Sequence, residues 1–296
     1  MTKKKIAWIT DSTAFITDEL SNHPDVYVIP LSITFGEETF EDGVELNTDQ
    51  LYARIRSQKE IPKTSQPSAG RFAELFEQLK DKYESAIAVH VSGKLSGTLN
   101  SCLAGAELAG FPVETVDSKS MSYAITTLIN KGQMLSDNEM PYTKIAEILQ
   151  EEADKSENYI LLGNLEQFYK GGRMSGTQYL LGSILKIKPI IRINRNGEFE
   201  LFDKVRSEKK AVKRMLELLG ESYKKNAILQ VQIMHGNVHT KAEELAKEIK
   251  TIFPSIGIFI GEISSTIAAH AGEGTVAILW QNEQYETSSL LLPVNL

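Results

Sequence analysis

Short runs of β-branched and other apolar residues, each stopping abruptly at small polar side chains, set the strongest constraint on how this chain folds. "KIAWITDS", "VYVIPLSITF", "AIAVHVS" and "PVETVDS" follow one another in the first half, and helix-period segments such as "TDQLYARIRS", "GRFAELFEQLKDKY" and "GTLNSCLAGAELAG" separate several of them. An unbroken apolar run marks a strand covered on both faces, and alternation of such strands with helices describes βαβ units around a mainly parallel sheet. Open sheets of this kind bind ligands beyond their strand C-termini. That places Asp11, Ser12, Ser96 and Thr98 where ligands are met.

The texture changes after "NYILLGNLEQF". "KPIIRINRNGEFELFDKVR" reads as two antiparallel strands turning through Asn196 and Gly197, a pattern foreign to a continuing parallel run. We therefore expect an N-terminal α/β domain over residues 1–157, with a mainly parallel sheet, and a C-terminal α/β domain over 158–296 that contains the hairpin and a tail. An edge strand, a clip onto another subunit and a disordered tail are all compatible with the final "QNEQYETSSLLLPVNL".

A chain of 296 residues, 42% hydrophobic and 24% charged, is long enough for two cores. With 32 basic against 39 acidic side chains it lacks the cationic footprint of a nucleic-acid binder. The apolar stretch after "MTKKK" is too short for a secretory core or a membrane span, so a cytoplasmic location is expected. The single cysteine, Cys102, excludes an internal disulfide and any multi-cysteine zinc site, and its helical context reads as core. His235 and His239 have i, i+4 spacing, but Gly236 and Asn237 between them argue for a turn rather than a metal-binding helix. No metal or cofactor is expected.

Four polar clusters carry the candidate chemistry: "TDST" from Thr10, "KTSQPS" from Lys63, "SGKLSGT" from Ser92 and "AAHAGEGT" from Ala268. Ser96, Gly97 and Thr98 precede a helix, where they serve either as a plain N-cap or as an anion site. Ser68 is a natural cap for a helix starting at Ala69, which leaves Thr64 and Ser65 as surplus hydroxyls. His270 sits among small residues before a Gly-rich bend, and Arg173 and Arg206 follow paired glycines and the hairpin. Each has an ordinary surface or loop reading beside the ligand one. GxGxxG, GxxxxGK[ST] and GxSxG are absent. An acyl transferase or hydrolase using Ser96 as nucleophile and His270 as base is the alternative, with Asp11 as the only third member in view.

In this order "ITDSTA", "KTSQPS", "LSGT", "VDSKSMS", "YKGGRMSG" with "LKIKPI", and "AHAGEG" resemble the blocks of the DegV family across about residues 5 to 280. The resemblance implies a two-domain α/β protein that holds one long-chain fatty acid in an apolar tunnel. It further implies a lipid-binding carrier, not an enzyme on its own, that presents the acid to the ATP-binding subunit of a fatty acid kinase for conversion to acyl phosphate in phospholipid synthesis. By the same likeness Thr64, Ser96 and His270 bind the carboxylate with Ser65 and Gly97 nearby, Arg173 faces the same mouth, and Arg206 and His270 assist phosphoryl transfer. Membrane contact would be transient at most. Helix-spaced Phe72, Leu75, Phe76, Leu180, Leu181, Ile184 and Leu185 are equally good as tunnel wall or as core. Lys94, Glu273 and Thr275 depart from the family pattern; Glu273 would repel an anionic head group unless Arg206 or solvent screens it.

Overall fold

The computed structural model describes residues 4–138, 140–174 and 187–284. Leu180, Leu181, Ile184, Leu185 and the tail from Tyr285 onward lie outside the described residues.

Four of the apolar runs assemble the first sheet. Strands β1 (Lys4–Asp11), β2 (Val26–Ile29), β6 (Tyr83–His90) and β7 (Val113–Asp117) lie parallel in the order β2-β1-β6-β7. Alternate residues of β1 supply both of its faces. Ala7 and Ile9 pack with Phe72, Phe76 and Cys102 of α3 (Ala69–Leu79) and α4 (Thr98–Ala109), while Ile6 and Trp8 pack with Ile125, Ile129 and Ile145 of α5 (Tyr123–Ser136) and α6 (Tyr142–Ala153). Gly105 lets α4 approach α3 closely, because a Cβ there would stand 2.4 Å from the Phe72 Cβ. Phe72 and Phe76 are fully buried in this core and do not line the cavity described below, and Leu75 packs against the same cluster, so all three are core.

"VYVIPLSITF" does not form one strand. Pro30 removes a ladder donor and biases Ile29 to extended geometry. The run divides there into β2 and β3 (Ser32–Phe35), which belong to different sheets. With β4 (Glu38–Glu41) and β5 (Lys63–Ser65), β3 makes a small antiparallel sheet in the order β4-β3-β5. "KTS" is therefore an edge strand, and the preceding helix α2 (Thr48–Gln58) opens with an Asn47–Gln50 capping box.

The second large sheet is mixed, ordered β10-β9-β8-β13-β11-β12 from β8 (Ser156–Leu161), β9 (Lys188–Ile193), β10 (Phe199–Val205), β11 (Gln230–His235), β12 (Gly257–Glu262) and β13 (Val276–Gln281). The expected hairpin joins β9 to β10, with Gly197 at φ 81°. Helices α8 (Glu208–Tyr223) and α9 (His239–Ile252) cover one face. The other face, with Ile191, Met234 and Leu279, shares a core with α7 (Leu165–Lys170), α10 (Ser265–Ala271) and the small sheet. Residues distant in sequence thus meet between the two large sheets.

Candidate functional site

Each polar cluster reaches the site on its own element. β5 holds Thr64 opposite Ile33. Ser68 caps α3 by accepting the Arg71 N–H at 3.2 Å, which leaves Thr64, Ser65 and Gln66 ahead of the helix. After β6 the chain turns so that Gly97, not a hydroxyl residue, is the N-cap of α4; Ser96 Oγ accepts the Thr98 N–H at 3.3 Å and pairs with Thr98 Oγ1 at 2.8 Å. Gln66 Oε1 accepts the Gly97 N–H at 3.1 Å, and a Cβ at Gly97 would collide with the Gln66 amide.

His270 closes the arrangement from the last turn of α10. Its Nε2 lies 2.8 Å from Thr64 Oγ1, across 206 residues of sequence. The ring lies close against Gly171, where a Cβ would stand 2.3 Å from Nδ1. Burial, and then the nearby Arg173 charge, hold its pKa down to about 4, so the imidazole is neutral at pH 7. Arg173 Nη1 donates to the Gly171 carbonyl, which ties the guanidinium to the same bend.

These residues share a cavity of about 480 Å³ as bounded by the described residues, and Thr64, Ser65, Ser96, Gly97, Arg173 and His270 all line it. The rest of its wall is largely apolar, from Leu31, Leu95, Ile160, Leu162, Phe168, Ile193, Phe199, Met234 and Leu279. Phe168 and Phe199 meet edge to face at 4.9 Å. A hydroxyl and imidazole cluster opening on apolar walls suits an amphiphile with an anionic head.

Arg206 is exposed between β10 and α8 and does not line the cavity. Glu273 is taken up elsewhere: Arg56 Nη1 donates to its carboxylate at 2.8 and 2.7 Å, and Asn237 Nδ2 at 2.6 Å. Arg56, rather than Arg206, therefore neutralises it, and Asn237 adds an uncharged donor. Thr275 Oγ1 accepts the Gly163 N–H at 2.9 Å and faces the Ala271 and Gly272 carbonyls, so its hydroxyl closes the bend after His270. Asp11 belongs to His90, whose Nδ1 is 2.9 Å from Oδ2; it also accepts the Val91 N–H at 3.0 Å. Those bonds outweigh desolvation and lower its pKa. His270 pairs with Thr64 and Ser96 with Thr98, and among the described residues no hydrogen bond joins Ser96 to His270.

His235 ends β11 and His239 begins α9, and no cluster of three metal-ligating side chains occurs among the described residues. Burial raises the Cys102 thiol pKa, as its core reading implied. Gln66 and Asn158 are among the wall residues that escaped sequence reading. Gln66 stood in the hydroxyl-rich stretch but showed only as the residue before Pro67. Asn158 is buried in β8, where its Oδ1 accepts the Ile193 N–H at 2.7 Å; one amide in an apolar strand was the only signal.

A family profile described as "Uncharacterised protein, DegV family" matches residues 5–283. A DegV domain-containing protein of Halalkalibacterium halodurans is 34% identical over 283 residues, covering 95% of this chain and 99% of its own. Among solved structures, a fatty acid binding DegV family protein from Streptococcus agalactiae superposes with a TM-score of 0.88 at 31% identity, over 95% of this chain and 100% of that one. DegV of Bacillus subtilis, a fatty acid binding protein, gives 0.85 at 30% identity over the same shares. No helix among the described residues is long and apolar enough to cross a membrane. The profile match, the full-length relative and the shared fold agree: this chain belongs to the DegV family.

Proposed function

We propose that the chain binds one long-chain fatty acid, with the carboxylate at Thr64, Ser96 and His270 and the acyl chain along the apolar wall, and presents it to a fatty acid kinase. One observation carries the reading: Thr64, Ser96, Gly97, Arg173 and His270 converge at a single apolar cavity. The relatives that bind fatty acids support it, since they share the fold at 30% identity or more. A buried carboxylate without donors costs several kcal/mol, which two hydroxyls and an imidazole offset. The hydrocarbon supplies the drive, at ~0.8 kcal/mol per buried methylene.

The kinase would bring ATP and magnesium, and the bound carboxylate oxygen would attack the γ-phosphoryl group, releasing ADP and acyl phosphate. Arg206 lies on the outer surface, where it serves the docked complex rather than the lipid. The test is a reconstituted assay with the kinase ATP-binding subunit, Mg-ATP and loaded protein. Thr64→Ala and Ser96→Ala should each weaken palmitic acid binding by roughly 1–3 kcal/mol through an underpaired carboxylate. Arg206→Ala should leave binding intact and reduce acyl phosphate formation. Unchanged affinity in both hydroxyl variants would refute the head-group assignment, and normal turnover by Arg206→Ala would remove that residue. Hydrolysis of activated esters by purified protein, with no lipid bound, would instead favour Ser96 chemistry.

A further inference from the structure

Asp42, directly after β4, has no part in the site described above, yet it is among the most buried charged groups in the molecule at 3% exposure. Its Oδ1 accepts the Ser265 N–H and its Oδ2 the Thr266 N–H, each at 3.1 Å, across more than 220 residues of sequence. Ser265 Oγ adds a bond to the Leu46 carbonyl at 3.3 Å. These contacts seize the N-terminus of α10, the helix whose last turn carries His270.

Ordinary capping does not account for Asp42. Ser264 already caps α10, its Oγ accepting the Ile267 N–H at 3.4 Å. No cation pairs with the Asp42 carboxylate among the described residues, and burial raises its pKa against the opposing hydrogen bonds from Thr266, Ser12 and Ser265. An unpaired carboxylate kept out of water is expensive, so a second anchor of this kind fixes a geometry rather than adding bulk stability.

The small sheet explains which geometry. In its order β4-β3-β5, Ser32 lies opposite both Glu41 and Ser65, so Asp42 and Thr64 flank β3 from opposite sides. Two strand spacings are roughly 9–10 Å. From Ser265 to His270 the helix rises about 7.5 Å, a comparable reach. The sheet therefore grips α10 at both ends, by Asp42 at the start and by Thr64 on the His270 ring at the finish.

We propose that Asp42 is the positioning residue for His270: holding the start of α10 at the sheet edge sets where the imidazole meets Thr64 and hence the donor geometry offered to a carboxylate. The final clause rests on the fatty-acid reading; the placement of His270 does not. The test is 15N NMR of labelled histidine in the lipid-free full chain between pH 7.5 and 5, read beside palmitic acid affinity.

In the parent protein His270 stays neutral throughout. In Asp42→Asn its signals should move and it should protonate with a midpoint within about one unit of 6.5, the ordinary histidine value, as its burial against Thr64 loosens. The other histidines should be unmoved, and affinity should fall about tenfold. Ser265→Pro, which removes one of the two N–H donors at a helix position that tolerates proline, should act in the same direction more weakly. Its neighbour Ser264 already has the extended geometry proline needs, with φ -65° and ψ 162°. Unchanged His270 signals and titration in both variants would overturn the proposal. A parent protein that binds no fatty acid would instead refute the functional reading, while the NMR result still decided the role of Asp42.

Discussion

At the scale of the residue, His270 concentrates the electrostatics of the site. Burial first, and then Arg173, hold its folded pKa at about 4, below the ordinary 6.5. The unfolded chain therefore binds more protons than the folded one between those values, and folded stability rises with pH across that window. The contribution is complete above about pH 6.5 and is lost as pH falls toward 4, amounting to on the order of 3 kcal/mol. Urea unfolding of lipid-free protein should show it: the stability difference between parent and His270→Gln should shrink by about that amount from pH 7 to pH 4. A difference independent of pH would contradict the buried neutral imidazole. Nothing in "AAHAGEG" discloses this, because the shift arises from burial and from the charge of Arg173, both of which the fold supplies from elsewhere.

At the scale of the element, side chains finish what main-chain ladders leave open. β8 and β9 pair only through Ile160 with Ile191 and Leu161 with Ile190. Beyond that point Asn158 bridges to Ile193, accepting its N–H at 2.7 Å and donating to its carbonyl at 3.3 Å. Asn158→Leu would leave both Ile193 groups without partners beside the cavity. We expect a loss of about 1–3 kcal/mol in urea unfolding, with a smaller effect for Asn158→Gln if the longer amide reaches the same groups. Equal stability of the Asn158→Leu variant and the parent protein would show that water serves Ile193 as well. Local signals announced several elements: the Asn-Gly hairpin and the Ser68 cap are where turn and cap chemistry put them. The break at Pro30 and the strand at Lys63–Ser65 were hidden, because a three-residue edge strand is defined by its partner β3 and not by its own pattern.

At the scale of the whole molecule, the alternation of apolar runs and helical segments was enough to read a parallel sheet and a second α/β region. It could not reveal how the small sheet, α7 and α10 build a shared core against the second sheet, since those contacts span more than 200 residues. That shared core is what makes a cavity from clusters that look like ordinary caps and loops when taken singly. Gln66 and Asp42 belong to the same category: their partners, Gly97 and the start of α10, are set by topology. The central claim is that this assembled cavity holds one fatty acid. Native mass spectrometry of the full chain purified from bacterial cells tests it most directly. The expected spectrum shows protein plus about one long-chain fatty acid, released on denaturation. A spectrum of lipid-free protein alone, unchanged after incubation with palmitic or oleic acid, would contradict it.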